Sequence, residues 1–84
     1  MTDSEVADRV AASLRLPYHK VISGNSVDGF RGEVAELRGC CTIAETAVLA
    51  LGRLEEAMAG WIEFTLRDGG TVPLPAAGVV ALSA

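Results

Sequence analysis

The stretch GCCTIAETAVLALGRL, Gly39 to Leu54, decides how this chain folds. Its first part follows a tight Arg38-Gly39 corner and predicts a third short strand, Cys40 to Ala44, whereas from Thr46 onward apolar residues recur every three or four positions. The change of period predicts that the longest helix of the chain starts here, with the Thr46 hydroxyl as its N-cap. The predicted buried face of that helix comprises Ala50, Leu54, Ala57, Met58, Trp61 and Thr65, flanked by Leu51 and Ile62.

A β-hairpin is predicted upstream of this stretch. YHKVIS, Tyr18 to Ser23, is rich in β-favouring residues, and GFRGEVAEL, Gly29 to Leu37, alternates between apolar and polar positions. The intervening GNSVDG supplies turn residues. The two runs therefore predict two antiparallel strands joined by a short turn.

A short amphipathic helix is predicted before the hairpin, over about residues 3 to 15. Thr2 and Glu5 have the capping-box spacing, and Val6, Val10 and Leu14 recur every four residues. Leu16-Pro17 ends this helix.

The end of the chain predicts one more short element. DGG, Asp68 to Gly70, ends the long helix, and TVPLP, residues 71–75, predicts a short edge strand because its prolines cannot donate to a central ladder. The tail AAGVVALSA is consistent with a further short strand or with disorder. The predicted class is α+β: an N-terminal helix, a three-stranded antiparallel sheet, one long helix packed on the sheet and a short C-terminal strand.

Composition limits what the chain can be. With 84 residues we expect one domain, with an N-terminal helical extension at 1–16, a core at 17–75 and a tail at 76–84. Half of the residues are apolar, which is high for this size and favours self-association into a dimer or tetramer. The net charge of -4 with scattered bases argues against nucleic-acid binding and suits a basic protein partner. No apolar run is long enough for a bilayer span and the N-terminus is acidic, so we expect a soluble, cytoplasmic protein.

None of the reactive residue types predicts a catalytic, cofactor or metal site. Cys40 and Cys41 are adjacent and point to opposite faces of a strand, so the pattern favours one core cysteine and one semi-exposed cysteine over a metal site or a reactive thiol. His19 has no visible nucleophile or orienting acid beside it in sequence, which favours an ordinary sheet or interface histidine over a general base.

Acidic residues raise the alternative of a magnesium-dependent nuclease, since clustered carboxylates can hold two metal ions. The candidates are Asp28, Glu33, Glu36 and Glu45. Their positions in the predicted strands and turn do not converge, so solvated acids are the favoured interpretation.

Val48 and Leu49 are anomalous, because they fit poorly on the buried helix face and occupy a first turn where acids would suit the helix dipole. They predict either contact with another chain or burial under the N-terminal helix, and the sequence leaves both open.

A family resemblance is carried by the segments DGFRGEVAELRGCCTIAET and ALGRLEEAMAGWIEFTLRDGGTVPLP. The chain resembles the HicB-like antitoxin family over residues 17 to 75, because its matching residues occur in the same order and at the same spacing. The matching positions are Gly29-Phe30, Glu33-Val34, Glu36-Leu37, Gly39-Cys40, Thr42, Thr46, Ala50, Leu54, Glu56-Ala57, Trp61-Ile62-Glu63, Asp68-Gly69 and Val72-Pro73.

The resemblance implies a fold like a partial ribonuclease H without an assembled metal site, a homodimer or higher oligomer, and a non-enzymatic protein. It also implies binding and occlusion of a small basic ribonuclease toxin of the HicA type. Nine residues follow Pro75, so we expect no C-terminal DNA-binding domain of the kind that many family members carry. The alternative is an orphan oligomer of the same fold that binds a different protein. Candidate contacts with a protein partner are Glu33, Glu36, Val48, Leu49, Glu55 and Glu56.

Overall fold

The fold is an α+β layer in a computed structural model that describes residues 1–75. Its elements in chain order are α1 (Asp3–Leu14), β1 (Lys20–Asn25), β2 (Gly29–Val34), β3 (Cys41–Ala44) and α2 (Ala47–Arg67). The three strands form one antiparallel sheet in the order β1-β2-β3, and α2 packs on one of its faces. The predicted class, the hairpin, the third strand and both helices are thus confirmed.

Local hydrogen bonds explain where the two helices begin. In α1 the Thr2 hydroxyl accepts the Glu5 N–H at 3.1 Å while the Glu5 carboxylate accepts the Thr2 N–H at 3.2 Å, which is the predicted capping box. In α2 the Thr46 hydroxyl accepts the Leu49 N–H at 3.1 Å. Each cap satisfies a backbone donor that the helix itself leaves without a partner.

A side-chain turn closes the hairpin between β1 and β2. The Asn25 carboxamide oxygen accepts the N–H groups of Val27 and Asp28 at 2.8 and 2.7 Å. The register then pairs Lys20 with Val34, which fixes which side chains share a face.

One predicted strand ends early and another is not formed. β2 ends at Val34 rather than Leu37, because the chain turns there and the Leu37 N–H donates back to the Val34 carbonyl at 3.2 Å. Residues 71–75 form no strand: Pro73 has no N–H, and its carbonyl accepts the Tyr18 hydroxyl at 2.5 Å instead of entering the sheet. The interpretation of the tail concerns residues 76–84, which lie outside the described part of the chain.

The core lies between α2 and the sheet, with α1 at its edge. Its buried members are Tyr18, Val34, Leu37, Cys40, Leu54, Met58 and Ile62. Ile62 is fully buried, whereas the sequence placed it at the side of the helix face. Within residues 1–75, no helix combines the length and the apolar character that crossing a membrane requires.

Replacement of Leu54 by Ala tests this packing. Leu54 is fully buried, so we expect the variant to lose about 2–5 kcal/mol of unfolding free energy from lost apolar contact and the remaining cavity. Guanidinium unfolding followed by circular dichroism measures the change. The matched control is Leu51→Ala in the same helix, because Leu51 is 40% exposed and its truncation should cost much less. Equal losses in the two variants would contradict the described orientation of α2.

Candidate functional site

The surface of α2 that faces away from the sheet is the candidate site. The buried residues of α2 recur every four positions from Ala50 to Ile62, so the opposite side of the helix points to solvent. We define the α2 outer face as the exposed residues Val48, Leu49, Gly52, Glu56, Gly60 and Glu63.

Val48 and Leu49 are the apolar residues at the N-terminal end of the α2 outer face. Val48 is 81% exposed and Leu49 is 46% exposed, so burial under α1, the alternative that the sequence left open, does not occur. α1 lies at the other end of α2, where Asp3 pairs with Arg67 at 2.9 Å. The two apolar side chains therefore project from the first turn of a rigid helix with no described element over them.

Glu55 and Glu56 differ in what they contact. Glu55 forms an ion pair with Lys20 of β1 at 3.0 Å, which directs its charge toward the sheet. Glu56 is exposed and forms no ion pair with any residue between 1 and 75. Glu56 follows Leu49 by two helical turns, about 10 Å along the axis, so the α2 outer face carries an unneutralised acid near its apolar end.

Glu33 lies on a different surface, the side of the sheet opposite α2. We define the open sheet face as Val21, Ser23, Arg31, Glu33, Cys41 and Ile43, which the strand register places together. Arg31 pairs with Glu33 there at 2.6 Å. The structure thus separates Glu33 from Val48, Leu49 and Glu56.

Glu36 faces inward and its carboxylate contacts both the backbone and the side chain of His19, the residue that precedes β1. Its side chain is only 6% exposed; one carboxylate oxygen accepts the His19 N–H at 3.0 Å and the other lies 2.6 Å from His19 Nδ1. Burial, and then this carboxylate, raises the pKa of the neighbouring Tyr18 hydroxyl above its ordinary value. Sequence reasoning missed the His19–Glu36 pair because 17 positions separate the two residues. The only available signal was the register of the predicted hairpin, which brings both residues to its open end.

The cysteines occupy the two environments that their alternation predicts. Cys40 is buried in the core, and its burial, followed by the proximity of Cys41, raises the pKa of its thiol. Cys41 is exposed on the open sheet face. The prediction of one core cysteine and one more exposed cysteine is confirmed.

Of the four acidic residues considered for a nuclease, only Asp28 and Glu45 come near each other, since both line one cleft between the hairpin turn and the start of α2. Glu33 lies on the open sheet face, Glu36 turns inward toward His19, and Asp28 lies in the hairpin turn, where its carboxylate accepts from the Asn25 side chain at 3.1 Å. Across residues 1–75 no three His, Cys, Asp or Glu side chains are grouped so that they could hold a metal ion.

A cleft of about 320 Å³ lies away from the α2 outer face, between α1 and the segment after α2. Its titratable side chains are Arg9 and Tyr18, and the Tyr18 hydroxyl already donates to the Pro73 carbonyl. This cleft therefore does not combine a nucleophile with a base.

Comparison of the chain with models of protein families, with curated proteins and with solved structures found no match.

Replacement of Glu36 by Ala tests whether the His19–Glu36 pair supports the fold. The variant leaves the His19 N–H and imidazole without their acceptor in a part-buried position, so we expect a loss of about 1–3 kcal/mol in unfolding free energy. Glu33→Ala is the matched control: it removes an exposed ion pair, which should change stability less. Thermal or guanidinium unfolding distinguishes them, and an unchanged Glu36→Ala variant would contradict the role given to the pair.

Thiol labelling tests the two cysteine environments. With a disulfide reagent that releases a coloured thiol, we expect rapid reaction of Cys41 and slow reaction of Cys40 in the folded protein, and reaction of both after unfolding. Cys41→Ser should remove the fast phase alone. Fast labelling of Cys40 in that variant would contradict its buried position.

Proposed function

We propose that this chain is a non-enzymatic protein-binding module of the HicB-like type, which binds a small basic ribonuclease of the HicA type and covers its active site. The observation that carries the proposal is the exposure of Val48 and Leu49 on the α2 outer face. Adjacent exposed apolar residues on a rigid element are typical of surfaces that another protein covers.

The charge of the chain supports a basic partner. The net charge is -4, and Glu56 on the α2 outer face has no ion-pair partner among the described residues. An acidic surface attracts a basic protein during diffusional encounter and selects against acidic partners. Val48 and Leu49 would then supply the apolar centre of the contact and Glu56 its polar margin.

Occlusion is the mechanism that follows from such a contact. A ribonuclease holds the phosphates of its substrate with basic side chains. An acidic helix surface that lies across those side chains neutralises them and excludes RNA sterically. This mechanism needs no catalytic group in the inhibitor, and the α2 outer face supplies none.

Exposure of Val48 and Leu49 also favours a second candidate function, an orphan oligomer of the same fold that binds a different protein. This candidate shares the apolar contact but does not require a ribonuclease. Co-expression with a HicA-type ribonuclease separates the two, because only the first candidate relieves the toxicity of such a protein.

The double variant Val48→Glu/Leu49→Glu tests the proposed surface. We expect it to lose partner binding by at least about 100-fold, because it replaces the apolar centre of the contact by two charges. The measurements are growth rescue on co-expression with the basic partner and the dissociation constant of the purified pair.

Phe64→Glu is the control, since Phe64 is an exposed apolar residue of the same helix that lies about four turns, or about 22 Å along the axis, beyond Leu49. It should bind as the wild type does, and circular dichroism should show that both variants are folded. Failure of the folded wild type to rescue growth or bind would contradict the antitoxin proposal; full binding by the double variant would contradict the assigned surface.

A further inference from the structure

The outer edge of β1 carries backbone groups that nothing in the described chain pairs. The His19 carbonyl accepts the Ala35 N–H at 2.9 Å, so in the observed register the odd-numbered residues of this strand bond to β2. The N–H and C=O groups of Lys20, Ile22 and Gly24 therefore point away from the sheet. No residue in the range 1–75 hydrogen-bonds to them.

The other edge of the sheet is protected. β3 has four residues, and the Val34 N–H donates to the Cys40 carbonyl at 3.2 Å, so Cys41 and Ile43 direct their backbone groups outward. The Arg53 guanidinium of α2 donates to the Ile43 carbonyl at 3.2 Å and so occupies part of this edge. Short length and a bound side chain are both devices that discourage a strand from pairing with another chain.

β1 has neither device. It spans six residues, contains no proline, and five of its residues are exposed. A lysine on an edge strand discourages pairing with another strand, but the Lys20 ammonium group is directed away from the edge and forms an ion pair with Glu55 of α2 at 3.0 Å. The β1 edge is therefore the one place in the sheet where a further strand can add without displacing a described contact.

We propose that a second copy of this chain covers the β1 edge, with β1 pairing antiparallel to the partner's β1 about a two-fold axis at Ile22. The two sheets then form one continuous six-stranded sheet. This dimer does not depend on the ribonuclease partner proposed above, because it uses the sheet edge and leaves the α2 outer face free.

The backbone of β1 is self-complementary in this arrangement. Pairing centred on Ile22 places Ile22 opposite the partner's Ile22 and Lys20 opposite the partner's Gly24, so all three outward-facing residues of each copy enter hydrogen-bonded pairs. No two lysines oppose each other, and like charges directly opposite would be unfavourable. A shift of the axis to Val21 or Ser23 would leave part of the edge unpaired.

Apolar side chains beside the edge favour the same occupant. Val21 is half exposed on the open sheet face, and the pairing gives it a cross-strand neighbour, the partner's Ser23. Leu51 precedes Glu55 by one helical turn and so lies on the same β1-facing side of α2, where it is 40% exposed. A partner strand at β1 would remove part of this apolar surface from water.

Disulfide trapping of the full chain tests the register. In the proposed dimer Val21 and the partner's Ser23 form a non-hydrogen-bonded pair with Cα atoms about 4.5 Å apart, which a disulfide can span. Val21→Cys and Ser23→Cys are made separately in a Cys41→Ser background and oxidised with glutathione disulfide, alone and mixed in equal amounts. We expect covalent dimers only in the mixture. Covalent dimers from either variant alone, or none in the mixture, would overturn the proposal.

Sedimentation equilibrium of the wild type supplies the second measurement. We expect a dimer, and we expect Lys20→Pro to weaken it more than about tenfold, because proline removes an outward N–H that donates to the partner's Gly24 without touching the bonds to β2 or the core. Lys20→Ala keeps the N–H and should remain dimeric. A wild type that is monomeric, or a Lys20→Pro variant that dimerises as tightly as the wild type, would overturn the proposal and would leave the α2 outer face proposal intact.

Discussion

The close approach of α2 to the sheet depends on the absence of a side chain at Gly32. This residue lies in the middle of β2, and a Cβ atom there would stand 3.0 Å from the Ile22 Cδ1, 3.3 Å from the Leu54 Cδ2 and 3.3 Å from the Thr42 Cγ2. The position is thus filled by neighbours from β1, β3 and α2 at once. Because Gly32 has no side chain, Leu54 can pack directly on the sheet at this position. A larger residue would have to displace side chains from all three elements.

Much of the fold followed from local patterns in the sequence. The caps at Thr2 and Thr46 and the turn at Asn25 depend on residues at most three positions apart, and all three form as the sequence indicates. The short strand predicted over 71–75 is not formed: Pro73 lacks an N–H, and Tyr18, 55 positions earlier, donates to its carbonyl. The limits of β2 likewise depend on how the chain turns back toward Cys40. Local propensity does not contain these contacts.

The same distinction between local pattern and three-dimensional contact applies to the candidate site. That Val48 and Leu49 depart from the buried helix face could be read from periodicity, but the sequence alone left open whether α1 covers them. Their exposure depends on where α1 docks, and α1 docks at the far end of α2. The inward turn of Glu36 and the pairing of Glu55 with Lys20 required the three-dimensional register of the hairpin. Charge alone therefore grouped four acids that the fold separates: Glu33 lies on the open sheet face, Glu55 and Glu56 lie on different sides of α2, and Glu36 points inward.

The position of α1 has a consequence for how the domain opens. Val6 is the one fully buried residue of α1. The ion pair between Asp3 of α1 and Arg67 of α2 joins positions 64 apart through exposed side chains. The hairpin, by contrast, packs against α2 through the main buried core, and the entropic cost of closing a loop rises only slowly with its length, so sequence separation alone decides little. Because α1 contributes one buried residue, we expect it to detach at a lower free-energy cost than opening of the sheet, and we expect native-state hydrogen exchange to reach the amides of α1 before those of β2. On this expectation α1 is a separable cooperative unit, and the hairpin with α2 forms the unit that persists when α1 detaches.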